Sequence, residues 1–135
     1  MATWLFKTEP STYSYDDLAR EGKAVWDGVS NPVALKNLRA CKKGDRVIIY
    51  HTGDEKALIG LAEITREAYP DPKQKNEKLV VVEIRPGKKL EQPVTLADVK
   101  ARKEFADFAL VRLPRLSVMP VTDAQLALLM KLAER

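Results

Sequence analysis

Three β-rich stretches follow one another in the middle of the chain and constrain its fold more than any other feature. They are DRVIIYHT at 45–52, ALIGLAEITREAY at 57–69 and KLVVVEIR at 78–85. Gly53-Asp54 is a turn signal typical of a hairpin between the first two, and the proline-containing segment 70–72 marks a loop before the third. This order predicts an antiparallel sheet, because consecutive strands joined by short connections pair with each other.

Two further strands and one glycine add detail to this sheet. TWLFK at 3–7 predicts a strand that stops at the Glu-Pro pair at 9–10, because proline has no amide hydrogen for the ladder. RLSVMPV at 115–121 predicts a last strand that is ended by Pro120. Gly60, inside the second central stretch, indicates a bulge or a place where a ligand or another backbone comes close.

Helix-start signals recur between the strands. Four pairs suit the first turn of a helix: Ser14 with Asp17, Asn31 with Pro32, Thr95 with Asp98, and Thr122 with Gln125. The second helix is predicted to run to about Ala40, and its core-facing residues are Val33, Ala34, Leu38 and Cys41. The last helix is predicted to pack on the sheet as a lid, whereas segment 105–113 is ambiguous. The pattern predicts an α+β fold, a mixed, mostly antiparallel β-barrel with peripheral helices.

Composition excludes several classes of protein. At 135 residues the chain fits one domain over 1–135, and its longest apolar runs are far too short to span a bilayer. Its start lacks the pattern of a secretory signal, and a single cysteine cannot form an internal disulfide. One cysteine and one histidine make no cluster with metal-ligand spacing. We therefore expect a protein of the cytoplasm, or of the nucleus in a eukaryote, with no metal, no cofactor and no membrane contact.

Few residues are candidates for catalysis. A nucleophile needs a base beside it, and Cys41, next to two lysines, is predicted to be a small buried apolar residue. His51, at a strand end, is open between a proton shuttle, a hydrogen-bond donor to a ligand and a structural residue. Lys7 and Glu9 lie two apart, so their side chains share a face of the strand. There they either form a surface ion pair or bracket a polar ligand.

Trp26 stands in the segment WDGVSNP, in a chain that has only two tryptophans. A tryptophan is most often a large core residue, but Asp27-Gly28 is a turn signal, and this places Trp26 on an irregular segment before a helix. Such a position suits a flat ring presented to a cavity between strand ends. Asn31 would cap the helix and also lie beside that cavity.

Basic residues outnumber acidic ones, 23 to 19, which gives a net charge of +4. This balance is compatible with a polyanionic partner but is also common in proteins that bind none. One group, along the second helix and the turn after it, is predicted to bind phosphates: Lys36, Arg39, Lys42, Lys43 and Arg46. The alternative is a solvated surface without a partner.

Six motifs resemble, in order and over nearly the whole chain, those of the EVE domain family. They are WLFKTEP, YSYDDL, VWDGVSNPVALKNL, KKGDRVIIYHTG, IGLAEITREAYPDP and RLSVMPVT. The resemblance implies a PUA-like barrel related to YTH domains, which bind methylated adenine in RNA, and a protein that recognises modified bases. By motif position Trp26 is similar to a wall of the YTH aromatic cage, and Lys7-Thr8-Glu9 to the strand end that begins that pocket. The motifs place no second aromatic residue beside Trp26.

The predicted function is therefore a non-enzymatic reader of a modified base, either a modified cytosine or methyladenine, in DNA or RNA. The predicted base-binding pocket consists of Lys7, Thr8, Glu9, Trp26, Asp27, Gly28, Val29, Asn31, Tyr50, His51 and Thr52. One alternative is a small amidohydrolase similar to ASCH proteins, which would act on a modified nucleoside through Lys7 and Glu9. Another is a plain interaction module whose pocket is filled by its own side chains. The sequence leaves the oligomeric state open.

Overall fold

A six-stranded mixed sheet forms the centre of the protein, in a computed structural model that describes residues 1–134. The strands are β1 Thr3–Thr8, β2 Ala24–Trp26, β3 Arg46–His51, β4 Ala57–Pro70, β5 Val80–Thr95 and β6 Val118–Val121. Their order is β2-β5-β4-β3-β1-β6, in which β1 and β3 are parallel and all other neighbours antiparallel. This confirms the predicted α+β, mostly antiparallel class. Across residues 1–134 the edge strands β2 and β6 are not paired with each other, so hydrogen bonds do not close the barrel.

The strands differ from the sequence prediction in several respects. Strand β2 was not predicted, because three residues carry no alternation signal and pair only with the distant β5. Strand β5 does not end near 85 but continues to Thr95, with register shifts against β4 that accommodate its irregular path. The prediction that Pro120 ends the last strand was wrong. Pro120 pairs with Trp4 inside β6, where it is tolerated because β6 is an edge strand.

Gly60 lies at the predicted bulge, and the group that comes close to it is a side chain rather than the predicted ligand or backbone. The β3–β4 register shifts beside its partner Ile49, and the β4–β5 register shifts on both sides of it. A Cβ atom at Gly60 would lie 2.4 Å from Cζ of Tyr15. The tyrosine ring lies there because its hydroxyl donates to the carbonyl oxygens of Leu61 and Gly87, at 2.8 and 3.0 Å. The group that approaches Gly60 is thus a side chain that docks the first helix on the sheet.

Five α-helices surround the sheet: α1 Tyr15–Glu21, α2 Pro32–Ala40, α3 Leu96–Lys100, α4 Ala109–Arg112 and α5 Asp123–Ala133. All four predicted caps form, and three of them, at Ser14, Thr95 and Thr122, are complete capping boxes. The ambiguous segment becomes a 3-10 turn at 103–105 followed by α4. Helix α5 packs against β5. In the described part of the chain no helix is long and apolar enough to cross a membrane.

Helix α2 packs against β4, β5 and β6, and its buried side differs in part from the predicted one. Ala34, Leu38 and Cys41 are buried as expected, and Leu35 joins them. The prediction was wrong for Val33, which lies in the first turn of α2 and is 52% exposed. Burial, and to a lesser extent Asp45, raises the pKa of the Cys41 thiol to about 12, so this thiol is an apolar core group.

Candidate functional site

A cavity of about 500 Å³ opens where β1 and β2 end. Seven of the predicted pocket residues line it: Lys7, Thr8, Glu9, Trp26, Asp27, Gly28 and Val29. Four residues that the sequence did not single out complete the lining: Thr12, Tyr13, Val25 and Ser117. Because β1 and β2 are far apart in the sheet order, the cavity depends on the curvature of the whole sheet. No local sequence signal reports that curvature.

Trp26 is both a core residue and a wall of this cavity. Its side chain is 8% exposed, and its ring centroid lies 5.5 Å from that of the fully buried Phe6. Tyr13 stands on the other side, 6.2 Å away and nearly perpendicular at 80°. Trp26 is the last residue of β2 rather than part of an irregular segment, and pairing with Val82 on β5 fixes its backbone. The cavity therefore has two aromatic walls, one of which the motifs did not indicate.

The indole nitrogen of Trp26 has a different environment from that of Trp4. Nε1 of Trp4 donates to Oδ2 of Asp45 at 2.9 Å, whereas Nε1 of Trp26 has no acceptor within residues 1–134. No described side-chain nitrogen or oxygen is both buried and without a partner, so Nε1 of Trp26 must be accessible to solvent. Trp26, which lines the cavity, thus retains a free hydrogen-bond donor.

Tyr13 reaches the cavity through a tight turn after β1. The amide nitrogens of Thr12 and Tyr13 both donate to the carbonyl oxygen of Glu9 at 2.9 Å, and the Thr8 hydroxyl donates to the carbonyl oxygen of Tyr13 at 2.6 Å. The Tyr13 hydroxyl donates to Oε1 of Glu21 at 2.6 Å. Burial and then this carboxylate raise the pKa of Tyr13, so its ring is a neutral, fixed surface. The turn brings together residues of β1, α1 and β2, which no sequence motif predicts.

Lys7 places an ammonium group at the edge of the cavity. Its Nζ donates to the carbonyl oxygen of Pro114 at 2.9 Å and lies 5.7 Å from the ring centroid of Tyr50. Burial lowers the pKa of Lys7, because the charged form loses hydration. An ammonium has three donors, so two remain for a ligand.

Glu9 is held as a carboxylate directly after the end of β1. Its Oε1 accepts from the amide nitrogen and hydroxyl of Ser11, at 3.2 and 3.0 Å, and its Oε2 accepts from the Thr52 hydroxyl at 3.2 Å. The backbone donor of Ser11, followed by its side chain, lowers the pKa of Glu9. In the described structure Lys7 and Glu9 form no ion pair with each other. They flank the cavity, which fits the hypothesis that they bracket a polar ligand.

Three of the predicted pocket residues, Tyr50, His51 and Thr52, do not line the cavity. Tyr50 and Thr52 instead contact Lys7 and Glu9: the Tyr50 ring lies beneath Nζ of Lys7, and the Thr52 hydroxyl donates to Oε2 of Glu9. His51 is buried and lies between two elements: its Nε2 accepts from the amide nitrogen of Tyr15 at 2.9 Å, and its Nδ1 lies 3.1 Å from Oε1 of Glu55. An accepting Nε2 implies that the proton is on Nδ1. These contacts fit the structural alternative for His51.

Asn31 and the predicted phosphate-binding group also lie outside the cavity. The Asn31 side chain accepts from the amide nitrogens of Val33 and Ala34, so it is a helix cap. Arg46 pairs with Thr3 at the start of β1, and the cavity lies at its other end, about 16 Å away at the usual rise per strand residue. The rest of the group lies along α2, at Lys36 and Arg39, and in the turn that leads to Arg46, at Lys42 and Lys43.

The cavity therefore combines aromatic walls with polar groups of both kinds. The residues that line it carry as donors the Lys7 ammonium, the Trp26 indole and the backbone amides of Asp27 to Val29. Its acceptors are the carboxylates of Glu9 and Asp27. Among residues 1–134 no group of three or more side chains has the arrangement of a metal site. Such a lining suits a flat, polar, uncharged ligand.

Comparison with protein families shows to which family the chain belongs. The model of the EVE domain matches residues 2–132. The chain belongs to the EVE family. The solved structure of Rpa0253 from Rhodopseudomonas palustris is 44% identical to this EVE domain, with a TM-score of 0.94 over 99% of this chain and 94% of that one.

A human relative extends the comparison. Thymocyte nuclear protein 1 from Homo sapiens is 28% identical to this EVE domain over 98% of its chain and 74% of the human protein. A crystal structure of human THYN1 in complex with 5-methylcytosine-containing DNA has a TM-score of 0.93 and covers 100% of this chain and 99% of that one. The ASCH protein from Zymomonas mobilis, 14% identical with a TM-score of 0.65 over 97% of this chain and 95% of that one, is similar in fold alone.

Proposed function

We propose that this EVE domain is a non-enzymatic reader of a modified cytosine in DNA, and that the base enters the cavity beside Trp26 after it is turned out of its strand. The observation that carries the proposal is the lining itself: two aromatic rings beside a mixed set of donors and acceptors. The complex of human THYN1 with 5-methylcytosine-containing DNA supports the choice of ligand.

The charges of the cavity favour a base over a phosphate. Two carboxylates, Glu9 and Asp27, face one ammonium, that of Lys7. The carboxylate of Asp27 has no hydrogen-bond or ion-pair partner within the described chain, so its charge is not offset. A phosphate would be repelled by such a site, whereas an exocyclic amine would be attracted.

Cytosine fits this set of groups. Its N4 amine is a donor that carboxylates accept, so Glu9 or Asp27 can bind it. Its N3 and O2 are acceptors, for which Lys7, the Trp26 indole and the loop amides are available. A methyl group on C5 is apolar and can pack on an aromatic wall. Methyladenine, the other predicted base, also carries an exocyclic amine, and binding measurements separate the two.

The energetics of base extrusion are favourable for a single strand. Turning a base out of a duplex costs a few kcal/mol, and less where the base is already unpaired. Stacking on an aromatic side chain returns about 1–3 kcal/mol per base. Trp26 is pre-positioned by Phe6 and by its pairing with β5, so binding orders little additional side chain.

A fluorescence titration tests the proposal. Short single strands of DNA and RNA, each with one 5-methylcytosine, one methyladenine or no modification, are added at low salt. We expect quenching of tryptophan fluorescence that is strongest with 5-methylcytosine in DNA. The quenching should persist in Trp4→Phe, which leaves Trp26 as the single tryptophan, and should disappear in Trp26→Phe.

Two outcomes would contradict the proposal. Equal quenching by modified and unmodified strands would show binding without recognition of the modification. An absence of any binding at low salt would favour the interaction module, in which the cavity serves a protein partner. A stronger response to RNA, or to methyladenine, would transfer the proposal to that ligand.

The amidohydrolase alternative has one observation in its favour: Lys7 has a lowered pKa and shares the cavity with Glu9. A lysine amine of this kind can act as a base. Its test is incubation of the pure protein with an acylated cytidine and analysis of the products. Release of the acyl group by the wild type, but not by Lys7→Ala, would establish the enzyme; an unchanged substrate would exclude this activity.

A further inference from the structure

A second cavity, of about 300 Å³, is lined by chain segments that continue directly from those of the first. Residues of segment 29–33 line both cavities, and so do residues of segment 112–117. The two are also linked directly, because Nζ of Lys7 in the first cavity donates to the carbonyl oxygen of Pro114 in the second at 2.9 Å. A ligand that fills the first cavity therefore has its next covalent neighbour within reach of the second.

Exposed apolar side chains concentrate at these two cavities. In the described chain the exposed large hydrophobic residues are Met1, Val25, Val33 and Leu113. Val25 lines the first cavity, and Val33 and Leu113, which are 52% and 51% exposed, line the second. Single exposed apolar residues are ordinary, but their grouping around a polar cleft is typical of a binding surface.

The charge of the second cavity is opposite to that of the first. Its lining contains two arginines, Arg112 and Arg115, and no acidic residue. Arg115 is exposed and has no hydrogen-bond or ion-pair partner within residues 1–134. Arg112 pairs with Asp107 at 3.3 Å, but both side chains are exposed, so the pair is weak and can be replaced. Guanidinium groups next to apolar side chains suit a phosphate that is attached to a sugar and a base.

We propose that the second cavity binds the nucleotide that adjoins the turned-out base, with Arg115 and Arg112 at its phosphate and Leu113 and Val33 against its sugar or base. This inference rests on the proposed function. Apolar contacts accept any base face, so the second cavity contributes affinity without selecting a sequence. The recognised base must then have a neighbour on one particular side, 5′ or 3′.

Strands with the 5-methylcytosine at the 5′ end, at the 3′ end or in the middle test this requirement. For the wild type we expect one of the two end positions to bind about tenfold more weakly than the middle, which corresponds to 1.4 kcal/mol. The double variant Leu113→Ala, Arg115→Ala should bind all three alike, at the weaker affinity. Arg102→Ala, an exposed arginine in a different cavity, serves as the matched control and should retain the difference.

The salt dependence of binding separates the contribution of Arg115 from that of Leu113. Arg115→Ala should reduce the slope of log K against log salt by about 0.7 for a single strand, because one phosphate contact is lost. Leu113→Ala should weaken binding with the slope unchanged. Equal affinity of the wild type for all three strands, with binding that still depends on the modification, would overturn this inference alone. Binding that ignores the modification in every strand would instead contradict the proposed function.

Discussion

At the scale of single residues, Trp4 and Trp26 form an internal comparison. Each side chain is 8% exposed, yet Nε1 of Trp4 is bonded to Asp45 and Nε1 of Trp26 has no acceptor in the part of the chain that the structure describes. Exposure alone would assign both to the core. The free donor is what distinguishes a tryptophan that serves the fold from one that is available to a ligand.

Substitution by phenylalanine should therefore affect a different quantity at each tryptophan: ligand affinity at Trp26 and stability at Trp4. Trp26→Phe keeps a ring against Phe6 but removes the donor, so affinity for 5-methylcytosine DNA should fall about tenfold, with less than about 1.5 kcal/mol of lost stability. Trp4→Phe leaves Asp45 short of a donor and should cost about 1–3 kcal/mol, with affinity unchanged. Urea unfolding and fluorescence anisotropy of a labelled strand measure the two quantities. Unchanged affinity in Trp26→Phe, with a large loss of stability, would assign Trp26 to the core alone.

Asp45 makes stability depend on pH. Burial alone would raise the pKa of Asp45, but the donors from Trp4, Lys42 and Ala2 outweigh it, and the pKa is lowered. A lowered folded-state pKa means that the stabilisation is complete above the unfolded value of about 3.9 and is lost as the pH falls through the folded value. The ionised form is therefore the stabilising one at neutral pH.

Asp45→Asn should lower the free energy of unfolding by about 2 kcal/mol at neutral pH, because an amide cannot accept from all three donors. The difference from the wild type should shrink once the pH falls below about 3.9. Urea unfolding at a series of pH values, as far as both proteins stay folded, measures it. A difference that stays constant at every pH would show that the charge of Asp45 contributes nothing.

At the scale of elements, the docking of α1 depends on a single missing side chain. Gly60 leaves room for the ring of Tyr15, which bonds to carbonyl groups of two strands. The Tyr15 amide also donates to His51, so α1 is attached to the sheet at two points. The turn that carries Tyr13 to the cavity precedes this attachment directly, which couples the helix to the site.

Gly60→Ala should destabilise the protein by about 2 kcal/mol, because a Cβ atom 2.4 Å from Cζ of Tyr15 forces the ring out of its place. Tyr15→Leu removes the ring, so the double variant should cost less than the sum of the single ones. Tyr15→Phe keeps the ring and serves as the control: its double variant with Gly60→Ala should cost the sum of the two single variants. Thermal unfolding of the three single and two double variants measures the coupling, and additive costs in the pair of Gly60→Ala with Tyr15→Leu would contradict the steric explanation.

The elements also show which parts of the structure the sequence could predict. Helix starts at Ser14 and Thr122 depend on residues three positions away, so the capping pattern predicted them correctly. Strand β2 depends on pairing with the distant β5, and the exposure of Val33 depends on how α2 packs on the sheet; local patterns contain neither. Tyr13 was missed for the same reason, because only the folded turn brings it beside Trp26.

At the scale of the whole molecule, part of the predicted phosphate-binding group and the cavity lie at different ends of the sheet. The cavity lies where β1 ends, whereas Arg46 and the turn with Lys42 and Lys43 lie where β1 begins, about 16 Å away. Along a duplex this distance corresponds to about five base pairs. The proposed phosphate-binding role of this group therefore requires a nucleic acid long enough to reach from one end to the other.

Length dependence follows from this layout and tests the role of the group. Lys42→Glu with Lys43→Glu should leave affinity for a strand of three nucleotides almost unchanged, because none of its phosphates reaches these lysines. The same variant should weaken binding of a long strand and reduce its salt slope by about 0.7 for each lost contact. Lys100→Glu with Lys103→Glu, the same change of charge beside α3, controls for the altered net charge. Equal weakening of short and long strands would indicate a long-range effect of charge, and no weakening of either would exclude the group from the interface.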